Sequence, residues 1–142
     1  MYQKTKSYIR IFDQQMSFYE NYARKKGMNG KALQILLWIN GSAQTGISQN
    51  KIAQATHSTK QVVHAIIKNW LDKGYLELRA NPDDKRHKLI FLTAEGSQFA
   101  DATLQPLEAL EEKAMAILTD EEQAQLIDLS RRYYQVLEKG LE

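Results

Sequence analysis

The sequence predicts a mostly α-helical protein with one small β-hairpin, and three observations lead to this fold class. Apolar residues recur at helical spacing along most of the chain. Only two prolines occur in 142 residues, so few positions can interrupt a helix. Two short apolar runs, YLELRA (75–80) and KLIFLT (88–93), flank a polar loop that contains Pro82, which is typical of a hairpin.

The first predicted helix runs from about Lys6 to Lys25 and carries two apolar rows. One row contains Ile9, Phe12, Met16, Tyr19 and Ala23, and the other contains Tyr8, Ile11, Phe18 and Tyr22. A helix that packs on one core needs a single stripe. Two rows therefore favour a helix that its own domain covers on one side and a partner covers on the other. The alternative is one wide stripe in a thick core.

Three further helices are predicted from their N-terminal caps. Asn29 caps a helix that stops at NGS (40–42), with a core row of Leu33, Leu36 and Leu37 and a second row of Ile35 and Ile39. Ser48 caps the short helix QNKIAQAT, and Ser58 caps the longer TKQVVHAIIKNWLDK, which stops at Gly74. With the hairpin directly after it, this helix-turn-helix predicts a winged helix at the centre of the chain.

Two more helices are predicted after the hairpin. Thr93 caps one from Ala94 to about Leu118, which Pro106 should kink or divide. TDEE (119–122) is a capping box that opens the last helix, to about Lys139.

Charge is divided unevenly along the chain. Residues 1–100 carry 15 Lys/Arg and 7 Asp/Glu, whereas residues 101–142 carry 4 and 10. This division favours a protein whose basic portion, residues 1–100, contacts a polyanion. The alternative is that acidic, exposed helices are simply common near a C-terminus. No apolar stretch approaches the roughly 20 residues of a membrane span, and no signal-peptide pattern occurs. We therefore expect a cytoplasmic protein without a membrane partner.

The helix after Ser58 has the pattern of a helix that enters the major groove of DNA. Val63, Ile66, Ile67 and Trp70 form an apolar face, Gln61, His64 and Lys68 form the opposite face, and Thr59 and Lys60 lie in the first turn. No acid occurs between Ser58 and Asp72, so no carboxylate would face the phosphates. The alternative is a solvated polar face, which usually carries Glu.

The tip of the predicted hairpin concentrates basic residues. Lys85, Arg86, His87 and Lys88 lie where a hairpin can project from its domain. Arginine suits a narrow minor groove, and Asp84 could hold the Arg86 guanidinium in one pose. The alternative is a charged, solvated turn that protects an edge strand from aggregation.

From the helix after Ser58 (the recognition helix) through the hairpin, a pattern is formed by Gly74, Leu76, Arg79, Asp84-Lys85-Arg86, Ile90, Leu92-Thr93 and Gly96. In this pattern the sequence resembles the MarR (multiple antibiotic resistance regulator) family of winged-helix transcription factors. The resemblance implies that Arg86 enters the minor groove and that Asp84 orients it. It also implies a single domain over residues 1–142, with a DNA-binding lobe at about 30–95 and dimerisation helices at about 1–28 and 96–142. Val62, His64 and Trp70 depart from the family pattern, so no DNA sequence preference follows.

The predicted function is sequence-specific binding of double-stranded DNA by a homodimer that regulates transcription, expected to be a repressor of a pseudo-palindromic operator. The expected DNA contacts are Ser48, Gln49, Ser58, Thr59, Lys60, Gln61, His64, Lys68, Asp84, Lys85, Arg86 and Lys88. The rival prediction is a winged-helix module that binds proteins and no DNA. An enzyme is not expected, because the chain offers no cysteine, no clear triad and no paired acids beside a histidine.

An effector site is also expected from the resemblance, between the dimerisation helices and the DNA-binding lobe. Its candidate lining residues are Tyr8, Phe12, Tyr19, Tyr22 and Trp38; the alternative, the commoner one for such aromatic side chains, is that they belong to the core. A small aromatic or lipophilic molecule would fit such residues. No cofactor is expected, and His57, His64 and His87 lack the spacing of metal ligands.

Overall fold

The computed structural model describes residues 2–142, which form six helices and one two-stranded antiparallel sheet. The elements are α1 (Tyr2–Lys25), α2 (Gly30–Gly41), α3 (Gln49–Thr56), α4 (Lys60–Asp72), β1 (Leu76–Arg79), β2 (Leu89–Leu92), α5 (Ala94–Met115) and α6 (Asp120–Lys139). The predicted fold class and element order are confirmed. The first helix begins at Tyr2 rather than Lys6, and α5 ends at Met115 rather than near Leu118.

Side-chain caps begin most of the helices as the sequence predicted. The Asn29 side chain accepts a hydrogen bond from the Ala32 amide at 2.8 Å, and Thr119 and Glu122 form the capping box of α6. The prediction for Ser58 is wrong, because Thr59 caps α4 by accepting from the amide of Val62.

The reason for this shift lies at the end of α3. The Ser58 amide donates to the Ala53 carbonyl at 2.9 Å, so Ser58 completes the preceding helix and α4 begins one residue later.

The core around α4 joins residues from several elements. Its fully buried large side chains include Ile35, Leu36, Ile39, Ile52, Val63, Ile67 and Ile90. Leu37, expected in the core row of α2, is 39% exposed. The buried residues of α2 include Leu33, Ile35, Leu36 and Ile39, and at about 100° per residue Leu37 falls outside the arc that they cover.

An aromatic cluster accounts for the tryptophan at position 70. Trp70 is buried, and its ring lies 6.0 Å from that of Phe99, which stacks on Tyr75 at 4.4 Å. A large aromatic side chain at this position therefore fills the space between the end of α4 and the start of α5.

The hairpin is joined to the helix-turn-helix through the main chain. Strand β1 pairs with β2 in the register Leu76 to Leu92 and Arg79 to Leu89. Ile47, just before α3, pairs with Ile90, and each amide donates to the other's carbonyl, at 3.3 and 2.8 Å. The segment before α3 thus adds a third chain to the edge of the hairpin. We call the hairpin itself, residues 75–93, the wing.

The chain separates into two compact units, one ending at Thr103 and the other spanning Leu104–Glu142. The expected lobe boundaries stay a prediction. Pro106 does not divide α5, which continues to Met115, because a proline within a helix removes one hydrogen bond without forcing the chain to stop. No helix among residues 2–142 is long and apolar enough to cross a membrane.

Candidate nucleic-acid interface

The recognition helix α4 has a buried face and a polar face, as the sequence predicted. Val63, Ile67 and Trp70 are buried, and Ile66 is half-buried. The side chains of Thr59, Lys60, Gln61, His64 and Lys68 belong to exposed residues. Within α4 the first acid is Asp72, its last residue, so the polar face offers donors and acceptors without a carboxylate.

The turn between α3 and α4 is fixed by a cluster that sequence reasoning missed. Thr56 is buried, and its hydroxyl lies 2.7 Å from the Ile52 carbonyl and 2.6 Å from the Ser58 hydroxyl. Lys31 of α2 donates from Nζ to the Thr56 carbonyl at 2.9 Å, where its charge also meets the negative end of the α3 dipole. Ser58 is therefore a half-buried structural residue of this turn.

His57 ends α3 in the left-handed region, at φ 50° and ψ 47°. Such a residue reverses the chain sharply at a helix C-terminus, which places α4 directly after α3. Histidine gives no strong sequence signal for this conformation, whereas glycine at Gly74 gave one.

At the wing tip, Asp84 holds Arg86 in two ways. One carboxylate oxygen, Oδ1, accepts a hydrogen bond from the Arg86 amide at 3.0 Å and lies 3.5 Å from Nε. The Arg86 side chain is nevertheless 87% exposed. An exposed ion pair contributes at most about 1 kcal/mol to folding, so its main effect is to restrict the direction of the arginine.

A second group of wing contacts was not foreseen. Nε2 of His87 lies 3.2 Å from Nδ2 of Asn50 on α3 and 3.9 Å from Oδ2 of Asp84. Asn50 and His87 are separated by 37 positions, so no local pattern could have paired them.

A groove of about 370 Å³ lies between the N-terminus of α3 and the wing. Its lining residues are Gln49, Asn50, Leu78, Arg86, His87, Lys88 and Ile90. The Ser48 hydroxyl caps α3 by accepting from the Lys51 amide at 3.1 Å, and its proton stays able to donate. The groove therefore gathers Gln49 and two of the predicted basic contacts beside a helix N-terminus, a combination that suits a phosphate.

Arg79 is one of the positions that match the family pattern, and no role was predicted for it. Its side chain contacts other residues of the wing. Its Nη2 lies 2.6 Å from Oε1 of Glu77, and its guanidinium lies 4.0 Å from the centre of the Phe91 ring. Both contacts stabilise the hairpin and neutralise part of the charge that Arg79 would otherwise present.

The five candidate effector residues differ in their surroundings. Tyr22 is half-buried and donates its hydroxyl to the Thr103 carbonyl at 2.6 Å, and burial raises the pKa of this hydroxyl. Tyr19 is half-buried, whereas Tyr8, Phe12 and Trp38 are exposed. Trp38 lines a shallow depression on α2 together with Leu37, Gly41 and Ser42. Among residues 2–142, no cluster of three or more His, Cys, Asp or Glu is arranged to hold a metal ion.

An acid-free helix face, a buried helix-turn-helix core and a hairpin paired to it define a winged-helix protein. Residues 26–87 match the sequence model of the MarR family. The winged-helix segment of this chain is therefore similar to that family.

The named relatives that the chain matches are transcriptional regulators. The transcriptional regulator HosA of Escherichia coli O111:H- is 29% identical over 87 residues, which cover 61% of this chain and 64% of HosA. BilQ, an HTH-type transcriptional regulator of Clostridium symbiosum, is 24% identical over 126 residues, or 88% of this chain and 86% of BilQ. The match to HosA thus spans less than two thirds of that protein's length.

Solved structures show the same fold. The Staphylococcus aureus protein MepR in its DNA-binding conformation superposes with a TM-score of 0.79 at 21% identity, covering 94% of this chain and 98% of MepR. The MepR–DNA complex gives a TM-score of 0.72 at 20% identity, covering 94% and 96% of the two chains.

Proposed function

We propose that this protein binds double-stranded DNA sequence-specifically, as a homodimer that regulates transcription. The observation that carries the proposal is the exposed, acid-free face of α4 beside an exposed wing arginine on the same compact unit. Two relatives are transcriptional regulators by name, and a structural neighbour has been solved on DNA.

In this proposal α4 lies in the major groove. Gln61 can pair with adenine, Lys68 can donate to guanine, and the methyl groups of Thr59 and Val62 can contact thymine. Val62 is 43% exposed although it is apolar, which fits a contact with a base methyl group.

The wing supplies contacts of a second kind. Arg86, restricted by Asp84, would enter the minor groove, where the negative potential is strongest. Lys85 and Lys88, both exposed, would bind phosphates together with Lys60 at the start of α4.

Dimerisation is supported by apolar side chains that the monomer leaves exposed. In α1 these are Ile9, Ile11, Phe12, Met16 and Phe18, each 43–53% exposed. In α6 they are Leu126, Ile127, Leu129, Val136 and Leu137, each 45–73% exposed. A second copy would cover such faces and would place two α4 helices on half-sites about one helical turn, or ~10 bp, apart.

Repression, and release by a small aromatic or lipophilic effector, are the finer parts of the proposal. They rest on the family and on the aromatic side chains that α1 and α2 expose, such as Phe12 and Trp38. A regulator of this kind acts in the cytoplasm and needs no catalytic group. The dimer would have conformations that differ in the spacing of its two DNA-binding lobes, and an effector would act by binding one of these conformations more tightly than another.

Selection on random duplexes, followed by fluorescence anisotropy at 50 and 200 mM salt, tests the proposal. We expect one enriched pseudo-palindrome and an affinity that falls by roughly 10³–10⁵ over this range if 6–10 phosphates are contacted. Absence of duplex binding at 50 mM salt would refute the proposal and favour a protein-interaction module.

A further inference from the structure

We propose that Asn50 and His87 are positioning residues, which set the direction of Arg86 relative to α4 by tying the wing loop to α3. The wing loop comprises residues 81–88, between the paired ends of β1 and β2. This inference rests on the proposed DNA binding, since it assigns the two residues a part in that same site.

The wing loop is organised internally by short-range hydrogen bonds. The Asn81 side chain accepts from the Asp83 amide at 3.0 Å, Asp84 accepts from the Arg86 amide at 3.0 Å, and the Asp84 carbonyl accepts from the His87 amide at 3.2 Å. These bonds orient Arg86 within the loop. They do not by themselves fix the loop relative to the helix in the major groove.

The Asn50–His87 contact supplies that connection. Asn50 belongs to the first turn of α3, and α3 is joined to α4 by the turn that Thr56 and Lys31 hold. From Asn50 the path runs 3.2 Å to Nε2 of the His87 ring, and the His87 amide donates to the Asp84 carbonyl at 3.2 Å. Asp84 in turn holds Arg86. A continuous set of polar contacts therefore links α3 to the wing arginine.

The geometry favours a positioning role over a direct DNA contact for His87. His87 is half-buried, whereas its neighbours Arg86 and Lys88 are exposed. Its Nε2 lies within hydrogen-bond distance of the Asn50 side-chain amide. A ring nitrogen can accept from the Asn50 amide nitrogen, or donate to its oxygen if the amide is turned, so either tautomer keeps the connection.

The Ile47–Ile90 pairing does not fix the wing loop relative to α4. It holds the base of the wing through backbone hydrogen bonds. Arg86 lies four residues before Ile90, in the loop, where the Ile47–Ile90 pairing restricts it little.

A double-mutant cycle tests the inference by anisotropy on the selected duplex. His87→Ala should weaken binding about 3- to 10-fold, the equivalent of one net hydrogen bond. In an Arg86→Ala background the same change should cost less than about 2-fold, because the arginine it positions is gone. Asn50→Ala should resemble His87→Ala, and the two together should be no worse than either. His87→Gln, which keeps a polar group able to reach Asn50, should retain most of the affinity.

The control and the DNA-free measurement separate this role from others. Lys85→Ala, combined with His87→Ala, should be additive, since Lys85 is expected to contact phosphate by itself. In free protein, ¹⁵N relaxation should show increased fast motion of the Arg86 amide in His87→Ala, with unchanged chemical shifts in α4.

A His87→Ala effect that persists in full with Arg86→Ala would assign His87 a direct DNA contact and overturn the inference. Unchanged affinity would overturn it too, provided that the wild type binds. A wild type that binds no duplex would instead refute the proposed function.

Discussion

Replacing Arg86 with alanine should weaken DNA binding while leaving folding intact. The Arg86 side chain is 87% exposed, and it forms an ion pair with Asp84 at 3.5 Å. Pairs this exposed are worth about 0.2–1 kcal/mol, so the free energy of unfolding should change by less than about 1 kcal/mol. At the DNA, loss of one specific arginine contact should cost about 1–3 kcal/mol, or roughly 5- to 150-fold in affinity.

Urea unfolding and anisotropy on one protein preparation measure both quantities. Arg86→Lys is an informative companion, because lysine keeps the charge and loses the planar group that Asp84 and a narrow groove can orient. Lys85→Ala is the matched control: it should weaken all duplexes alike and lower the salt slope by about 1. An Arg86→Ala protein with wild-type affinity would remove Arg86 from the interface.

Three other changes address different parts of the molecule. Gln61→Ala and His64→Ala should relax sequence preference, and repeated selection on random duplexes should return a more degenerate site; an unchanged site would exclude both from base contacts. Gly96→Ala should destabilise the protein by about 1–3 kcal/mol in urea unfolding, because a Cβ would collide with the Tyr75 carbonyl; wild-type stability would contradict this packing. Tyr22→Phe should cost about 0.5–1.5 kcal/mol through the lost bond to Thr103. Since the Tyr22 pKa is raised, that contribution is complete below the ordinary value of 10.0 and is lost as pH rises through the higher folded value, so wild type and variant should converge in alkaline buffer.

The sequence predicted those features that depend on neighbouring residues. Caps such as Asn29 and Thr119, the polar face of α4 and the Asp84–Arg86 pair all arise within four positions of the chain, where spacing determines contact. The error at Ser58 arose because two adjacent hydroxyl residues can both cap a helix, and only the end of α3 decides between them.

Contacts between distant positions could not be predicted in this way. Lys31 reaches Thr56 across 25 positions, and Asn50 reaches His87 across 37. Gly96 was recognisable as part of a family pattern, but its reason, the close approach of the Tyr75 carbonyl, exists only in three dimensions. Polar contacts between distant positions depend on how the helices pack. No spacing of residues in a single sequence shows which distant side chains that packing brings together.

The Ile47–Ile90 pairing has a consequence for how such a protein can diverge. Its two hydrogen bonds use main-chain atoms only, so exchanging one apolar residue for another at either position keeps them, and a proline would remove a donor. The base of the wing therefore stays paired with the segment before α3 whatever side chains the tip carries.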